Sequence, residues 1–313
     1  MTVLSPAEVK VIISDPIAGI GVEMMRQAGI EVDVETGLAP EELERTVGGY
    51  DIIIIRSATK VRKPIIEAAK NLKLIVRAGV GLDNIDVEYA KSKGIEVMNT
   101  PAATSNAVAE LTVGYLFGLA RRLPQTTASM RAGKWEKKKF SGSEIARKTL
   151  GLVAYGRIGW LVAKKALALG MEIIAYDPYV SDPRGLEMEF VSLEELLKRA
   201  DYISMHLPLT NETRDLIGGP QFELMKDGVR IINCARGGTI NEDALYEAIV
   251  SGKVEGAALD VYLEEPAKGN KLFELDEVIG SPHIGASTVE AQHRVGVEVA
   301  EKVIEFQKRL GDK

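Results

Sequence analysis

Three short segments in the second half of the chain carry groups that could act together. "INCARGGTI" sets Arg236 just past a β-branched run, "LDVYLEEP" supplies Asp260 and Glu265, and "SPHIGAS" supplies His283. An arginine, a carboxylate and a histidine at the ends of neighbouring strands suit a reaction at a carbonyl that stands beside a carboxylate. His283 follows Pro282 and precedes Gly285 by two positions, at the end of an apolar run. Such a place fits a buried turn as well as a proton donor, and the residue taken alone leaves both open. The other two histidines carry less. His206, in "MHLPL", reads as pocket wall or packing, and His293 as a solvated position on the last helix.

A second chemistry-bearing stretch is "GLVAYGRIGWLVAKKALALG". A strand runs into the turn Ala154, Tyr155, Gly156, Arg157, Ile158, Gly159, and a helical pattern follows. The next strand ends at Asp177, twenty-one residues after Gly156. This is the dinucleotide fingerprint in its strand-turn-helix setting. Gly156 lets backbone approach a pyrophosphate, Gly159 lets helix and sheet pack closely, and the N–H groups opening the helix face the phosphate charge. Asp177 would accept from ribose hydroxyls and repel a 2′-phosphate, which predicts NAD rather than NADP. The fingerprint's first glycine is replaced by Ala154, tolerable at negative φ and strained at positive φ.

The elements that must hold these residues alternate throughout. "VKVIIS", "IEVDVE", "DIIIIR", "LKLIVRAG" and "IEVMNT" read as strands, with amphipathic segments such as "GVEMMRQAG" and "VEYAKSKG" between them. Runs this apolar belong to strands covered on both faces, hence to a parallel sheet. A long helical stretch, "SNAVAELTVGYLFGLARRL", and an irregular charged one, "RAGKWEKKKFSGSE", interrupt the pattern. It restarts at "KTLGLVAYG" and continues through "MEIIAYD", "ADYISMHLP", "VRIINCA", "VEGAALDVY" and "DEVIGSP", before one final amphipathic helix. The fold class is therefore α/β, with two doubly wound parallel-sheet domains. The 313 residues, 46% hydrophobic and 27% charged, fit two globular units. A net charge of −6 speaks against non-specific nucleic-acid binding. The single cysteine, Cys234, excludes an internal disulfide, and together with an opening segment unlike a signal peptide it predicts the cytoplasm. No apolar run is long enough for a membrane span.

"RSATKV", "VRAGVGLDNID", "GKWEKKKFSGSE", "NCARGG", "LDVY" with the following "EEP", and "PHIGAST" together resemble the D-2-hydroxyacid dehydrogenase family over nearly the whole chain, and most closely its phosphoglycerate-oxidising branch. The resemblance implies a Rossmann-type NAD domain, residues 99–286, inserted into a flavodoxin-like substrate domain, residues 1–98 plus 287–313. It implies that Arg236 holds the substrate carboxylate through a two-pronged hydrogen bond. His283 is then the acid/base and Glu265 its partner. It further implies cofactor contacts from Val80, Gly156, Arg157, Ile158, Gly159, Asp177, Leu207, Cys234, Ala235, Arg236, Asp260, His283, Gly285 and Ala286, with Asp260 near the nicotinamide and no metal. Arg56, Arg77 and the backbone of Gly79 and Gly81 would join Arg236 in binding substrate, with the cleft closing over it.

A phosphorylated substrate needs cations, and Arg56, Lys60 and Arg77 follow strands of the first half. Arg131, Lys134, Lys137 and Lys138 read as a solvated run, with direct substrate contact or an arm reaching a partner's site as alternatives. The stretch between Asn106 and Arg122 is more apolar than a solvated helix requires; the resemblance implies that it builds a homodimer, the alternative being a buried interdomain helix. The chain stops without the C-terminal serine-binding domains of many relatives, so serine feedback is not expected. A glyoxylate or hydroxypyruvate reductase would share the fold and the three catalytic residues. An NAD-binding interaction protein of the corepressor type shares the fold but leaves the substrate-side arginines without a purpose.

Overall fold

The computed structural model describes residues 8–311. The chain forms two compact units, one of residues up to Thr104 together with those from Ala286 on, the other Ser105–Gly285.

The first unit is built on strands β1 (Lys10–Ile13), β2 (Glu31–Val34), β3 (Ile52–Ile55), β4 (Leu74–Arg77) and β5 (Glu96–Asn99). They pair in parallel in the order 2-1-3-4-5, the flavodoxin-like arrangement. The four isoleucines of β3 explain why the sheet is covered on both sides. Ile52 and Ile54 enter one core with Val11, Ile13, Leu74 and Val76, and Ile53 and Ile55 enter the other with Ile12 and Ile75. Each fully buried isoleucine adds roughly 1.5–3 kcal/mol. The C-terminal helix, Val289–Gly311, returns to this unit through Val295, Val299, Val303 and Phe306. It crosses the helix Gly19–Gln27 so closely that a Cβ on Gly21 would lie 2.5 Å from the Gly296 carbonyl oxygen.

The second unit carries β6 (Thr149–Val153), β7 (Glu172–Tyr176), β8 (Glu189–Phe190), β9 (Tyr202–Met205), β10 (Val229–Asn233), β11 (Val254–Leu259) and β12 (Val278–Gly280). All pair in parallel in the order 12-11-10-9-6-7-8. The 9-6-7 core of this order is the doubly wound dinucleotide topology.

Two domain bounds differ from expectation. The first unit extends to Thr104 rather than to residue 98. Its extra residues stay because Thr100 N donates to Gly79 O (2.9 Å), Asn99 Nδ2 to Val80 O (2.5 Å) and Arg294 Nε to Ala103 O (3.0 Å). Ala286 also falls in the first unit, its carbonyl accepting from Gln292 Nε2 at 2.8 Å. The apolar helix Ser105–Arg121 is covered along most of its length within its own unit. Val108, Ala109, Tyr115, Leu116, Leu119 and Ala120 are buried in its own unit, on a core shared with the helix Arg157–Ala168. It ends where Arg122 adopts φ 50°, and a further helix, Leu123–Arg131, starts with Pro124 in its first turn. Among the described residues no helix is long and apolar enough to cross a membrane.

Candidate active site

In the second unit the fingerprint turn lies between β6 and the helix Arg157–Ala168. A Cβ on Gly159 would stand 2.7 Å from Ala154 O, so only glycine permits this approach of helix to strand. A Cβ on Gly156 would meet nothing within 4 Å, which leaves open space on the face where a pyrophosphate approaches. Arg157 is exposed and Ile158 half-buried beside it. Asp177 Oδ2 accepts from Tyr155 N at 2.8 Å, and Oδ1 from Tyr179 N and Val180 N at 2.8 and 3.1 Å. A carboxylate offers about four lone-pair sites. The residue thus ties the two turns of the cofactor groove together and keeps capacity for a ribose hydroxyl. These features fit the cofactor.

Ala154 takes φ 76°, the strained alternative. Its left-handed backbone costs an L-residue about 1–2 kcal/mol, partly offset by the greater unfolded-state freedom of glycine. Ala154→Gly is therefore expected to stabilise the protein by about 0.5–1 kcal/mol. An unchanged or lower melting temperature would contradict that.

The remaining groups stand at the carboxyl ends of β9 to β12. Leu207 and Cys234 are buried. Burial pushes the Cys234 thiol up to about 12, against a hydrogen bond with Thr112, so Cys234 is a neutral wall and not a nucleophile. Burial likewise pulls His206 down to about 3, and its Nε2 sits 3.0 Å from Ser204 Oγ. That neutral ring has no acid/base work at physiological pH.

After β10 the chain makes a tight loop held from inside by Asn233, which is 2% exposed. Asn233 Nδ2 donates to Arg236 O (3.0 Å), and its Oδ1 accepts from Ala235 N (3.0 Å). Thr239 Oγ1 donates to the same Arg236 carbonyl at 2.8 Å. Half-buried Arg236 rests Nη1 on Ala235 O at 2.6 Å. A Cβ on Gly237 would lie 1.8 Å from Tyr262 O, so glycine there brings the arginine loop against the segment leading to Glu265.

His283 and Glu265 meet, Nδ1 to Oε2, at 2.7 Å. Burial pushes Glu265 up, but the hydrogen bond and charge of His283, the Tyr262 amide and the charge of Arg236 outweigh it and hold the carboxyl below its ordinary value. An ionised carboxylate only accepts, so Nδ1 carries the proton and Nε2 is left as the working nitrogen of the neutral ring. A cavity of about 460 Å³ bounded by Tyr262, Phe273, Lys268, Pro282 and the pair opens beside it. The His283 and Glu265 side chains are 42% and 38% exposed, so the pair itself meets solvent.

His283 itself has φ 53°. Its turn is pinned by Asp260, 1% exposed. Asp260 Oδ1 accepts from Ile284 N and Oδ2 from Gly285 N, both at 2.7 Å. Ser281 Oγ donates to Oδ1 and also meets the Tyr115 hydroxyl. Asp260, expected near the nicotinamide, thus shows its carboxylate engaged on the His283 turn.

In the first unit, Arg77 ends β4 and folds its guanidinium over Gly79, where a Cβ would stand 1.4 Å from Nη1. Gly79 N–H donates to Arg77 O at 2.9 Å. The Gly79 amide expected to cradle a carboxylate is thereby engaged. Arg56 is half-buried just past β3, and Lys60 is exposed. The clamping residues Asn233, Thr239, Ser281 and Tyr115 were missed by sequence reasoning. An Asn closing a strand ahead of "CARGG" was the one local signal available.

Residues 113–285 match the family model described as D-isomer specific 2-hydroxyacid dehydrogenase, NAD binding domain. The chain belongs to the D-isomer specific 2-hydroxyacid dehydrogenases. It is 51% identical to a D-3-phosphoglycerate dehydrogenase of Methanocaldococcus jannaschii over 94% of this chain and 57% of that protein. It is 50% identical to a hydroxypyruvate reductase of Thermotoga maritima over 97% of this chain and 99% of that one. The chain thus spans just over half the length of the first of these relatives. Among solved structures, the D-lactate dehydrogenase of Aquifex aeolicus, complexed with NAD and lactic acid, superposes with a TM-score of 0.85 at 31% identity, over 95% of both chains. The cofactor of the family domain in this chain is NAD.

Proposed function

We propose that this protein oxidises D-3-phosphoglycerate to 3-phosphohydroxypyruvate, the step that opens serine biosynthesis. The observation that carries the chemistry is the 2.7 Å His283–Glu265 pair in the same unit as the Arg236 loop. NAD, when bound, accepts the hydride that leaves C2. Arg236 holds the substrate carboxylate in its fork and so orients C2. His283 Nε2 takes the hydroxyl proton, and Glu265 stabilises the imidazolium that forms. In the reverse direction the same nitrogen returns the proton to the carbonyl oxygen. Arg56 and Arg77 receive the anionic end of the substrate. Leu207, Ala235 and Gly285 line the cofactor with the fingerprint residues.

Phosphoglycerate is favoured by four relatives bearing that activity in their names, between 45% and 51% identical over at least 94% of this chain. A second reading, hydroxypyruvate reductase, is favoured by the Thermotoga relative, which this chain matches over 99% of its length. Reduction of 3-phosphohydroxypyruvate, hydroxypyruvate and glyoxylate with NADH separates the two. A kcat/KM highest for the phosphorylated acid supports the first reading, and one highest for hydroxypyruvate replaces it with the second.

Asp177 carries the cofactor preference. Asp177→Ala is expected to weaken NAD relative to NADP in competition kinetics, and an unaltered ratio would put the ribose elsewhere. The reading also includes a cytoplasmic homodimer. Phe117, Leu123, Met130 and Trp135 expose large apolar surface within one segment and support that association.

A further inference from the structure

The loop after β3, residues 56–60, takes its shape from two distant residues. Asp15 lies two positions beyond β1 and is 4% exposed. Its Oδ2 accepts from Arg56 N at 2.6 Å and Thr59 N at 3.1 Å, and its Oδ1 from Thr59 Oγ1 at 2.9 Å. Asn84, between β4 and β5, donates Nδ2 to Arg56 O at 2.7 Å and to Thr59 O at 2.6 Å. The backbone N–H and C=O of both loop ends are thus turned inward. Ser57 and Ala58 are left exposed at the tip, and Arg56 Nη1 leans on Pro16 O at 3.3 Å.

Burying a carboxylate is costly unless donors replace its water, and plain packing at this position would be served by an apolar side chain. The place is also particular. In a sheet ordered 2-1-3-4-5, β1 and β3 flank the point where the connections change side, and ligands of such sheets bind outside their carboxyl ends. Asp15 follows β1 and Arg56 follows β3.

We propose that Asp15 and Asn84 are positioning residues for substrate recognition. Through five hydrogen bonds to residues 56 and 59 they hold Arg56 and the loop tip in the arrangement that receives the substrate's anionic group. Neither touches substrate. The inference rests on the reading of Arg56 as a substrate ligand.

The test compares Asp15→Ala, Asp15→Asn, Asn84→Ala, Thr59→Val, Thr59→Ser and Arg56→Ala. KM and kcat are measured for 3-phosphohydroxypyruvate, NADH affinity by fluorescence titration, and melting temperature alongside. Asp15→Ala and Asn84→Ala should raise KM about tenfold or more, and Thr59→Val about threefold, on the usual weight of such hydrogen bonds. NADH affinity should not move. Asp15→Asn should recover most of the loss, because its amide oxygen can accept both N–H groups while its NH₂ donates to Thr59 Oγ1. Thr59→Ser, which keeps the hydroxyl, should match the parent. A raised KM in Arg56→Ala with an unchanged KM in Asp15→Ala and Asn84→Ala, whatever their melting temperatures, overturns the positioning role alone. An unchanged KM in Arg56→Ala with turnover intact overturns the substrate reading beneath it. If Asp15→Ala does not fold, the contrast of Thr59→Val with Thr59→Ser decides, and equal KM values there reject the proposal.

Discussion

His283→Ala is expected to lower kcat by about 10²-fold or more while NADH still binds. The geometry gives the reason. His283 Nδ1 is committed to Glu265 at 2.7 Å, so Nε2 is the nitrogen free to exchange a proton with the substrate oxygen, and alanine leaves no group to replace it. Fluorescence titration of NADH beside steady-state turnover separates the two effects, and near-normal kcat would end the assignment. Glu265 adds a pH signature. Its folded-state carboxyl is held below the ordinary 4.5, despite burial, chiefly by His283. A depressed carboxyl contributes stability that is present above the unfolded value and is lost as pH falls through the folded one. Glu265→Gln should therefore lower the melting temperature at neutral pH, and the deficit should close in acid below 4.5. A deficit that stayed constant with pH would contradict the pairing.

Arg236→Lys should reduce kcat/KM by about 10- to 100-fold, the weight of the charge-assisted hydrogen bonds it forfeits. Lysine keeps the charge but not the planar fork, and only the fork grips both oxygens of a carboxylate. The loop is built to fix that fork's direction. Asn233 and Thr239 both donate to the Arg236 carbonyl, and Gly237 presses the loop onto Tyr262 with no room for a Cβ. Steady-state kinetics with the native substrate checks this, and an unchanged KM and kcat would show that Arg236 does not hold the carboxylate.

The parts of this molecule that could be read in sequence are those whose partners lie nearby or repeat. The unbroken run of four isoleucines in β3 announces a sheet covered on both faces. Gly156, Gly159 and Asp177 share one strand-turn-helix-strand unit, so their spacing alone names the dinucleotide fold. What stayed hidden depends on contacts across the fold. Ala154 is left-handed because the strand must turn into a helix whose Gly159 sits under its carbonyl. The apolarity of Ser105–Arg121 says that the helix is covered but not by what, and most of the cover is its own unit. The clamps were the least visible. Asp15 reaches residues 41 and 44 positions away, and Asp260 reaches amides 24 and 25 positions away. The Arg56 loop and the His283 turn each rest on a buried carboxylate of this kind. Their side chains carry no local pattern that distinguishes a clamp from a solvated turn.

The most direct measurement is NADH formation, followed by near-ultraviolet absorbance, when the protein is given NAD and D-3-phosphoglycerate at alkaline pH, with glycerate, lactate and 2-hydroxyglutarate in parallel. The account predicts turnover that requires the phosphate and disappears in His283→Ala. Turnover restricted to the unphosphorylated acids would contradict the proposed substrate, and none with any of them would contradict the dehydrogenase reading itself.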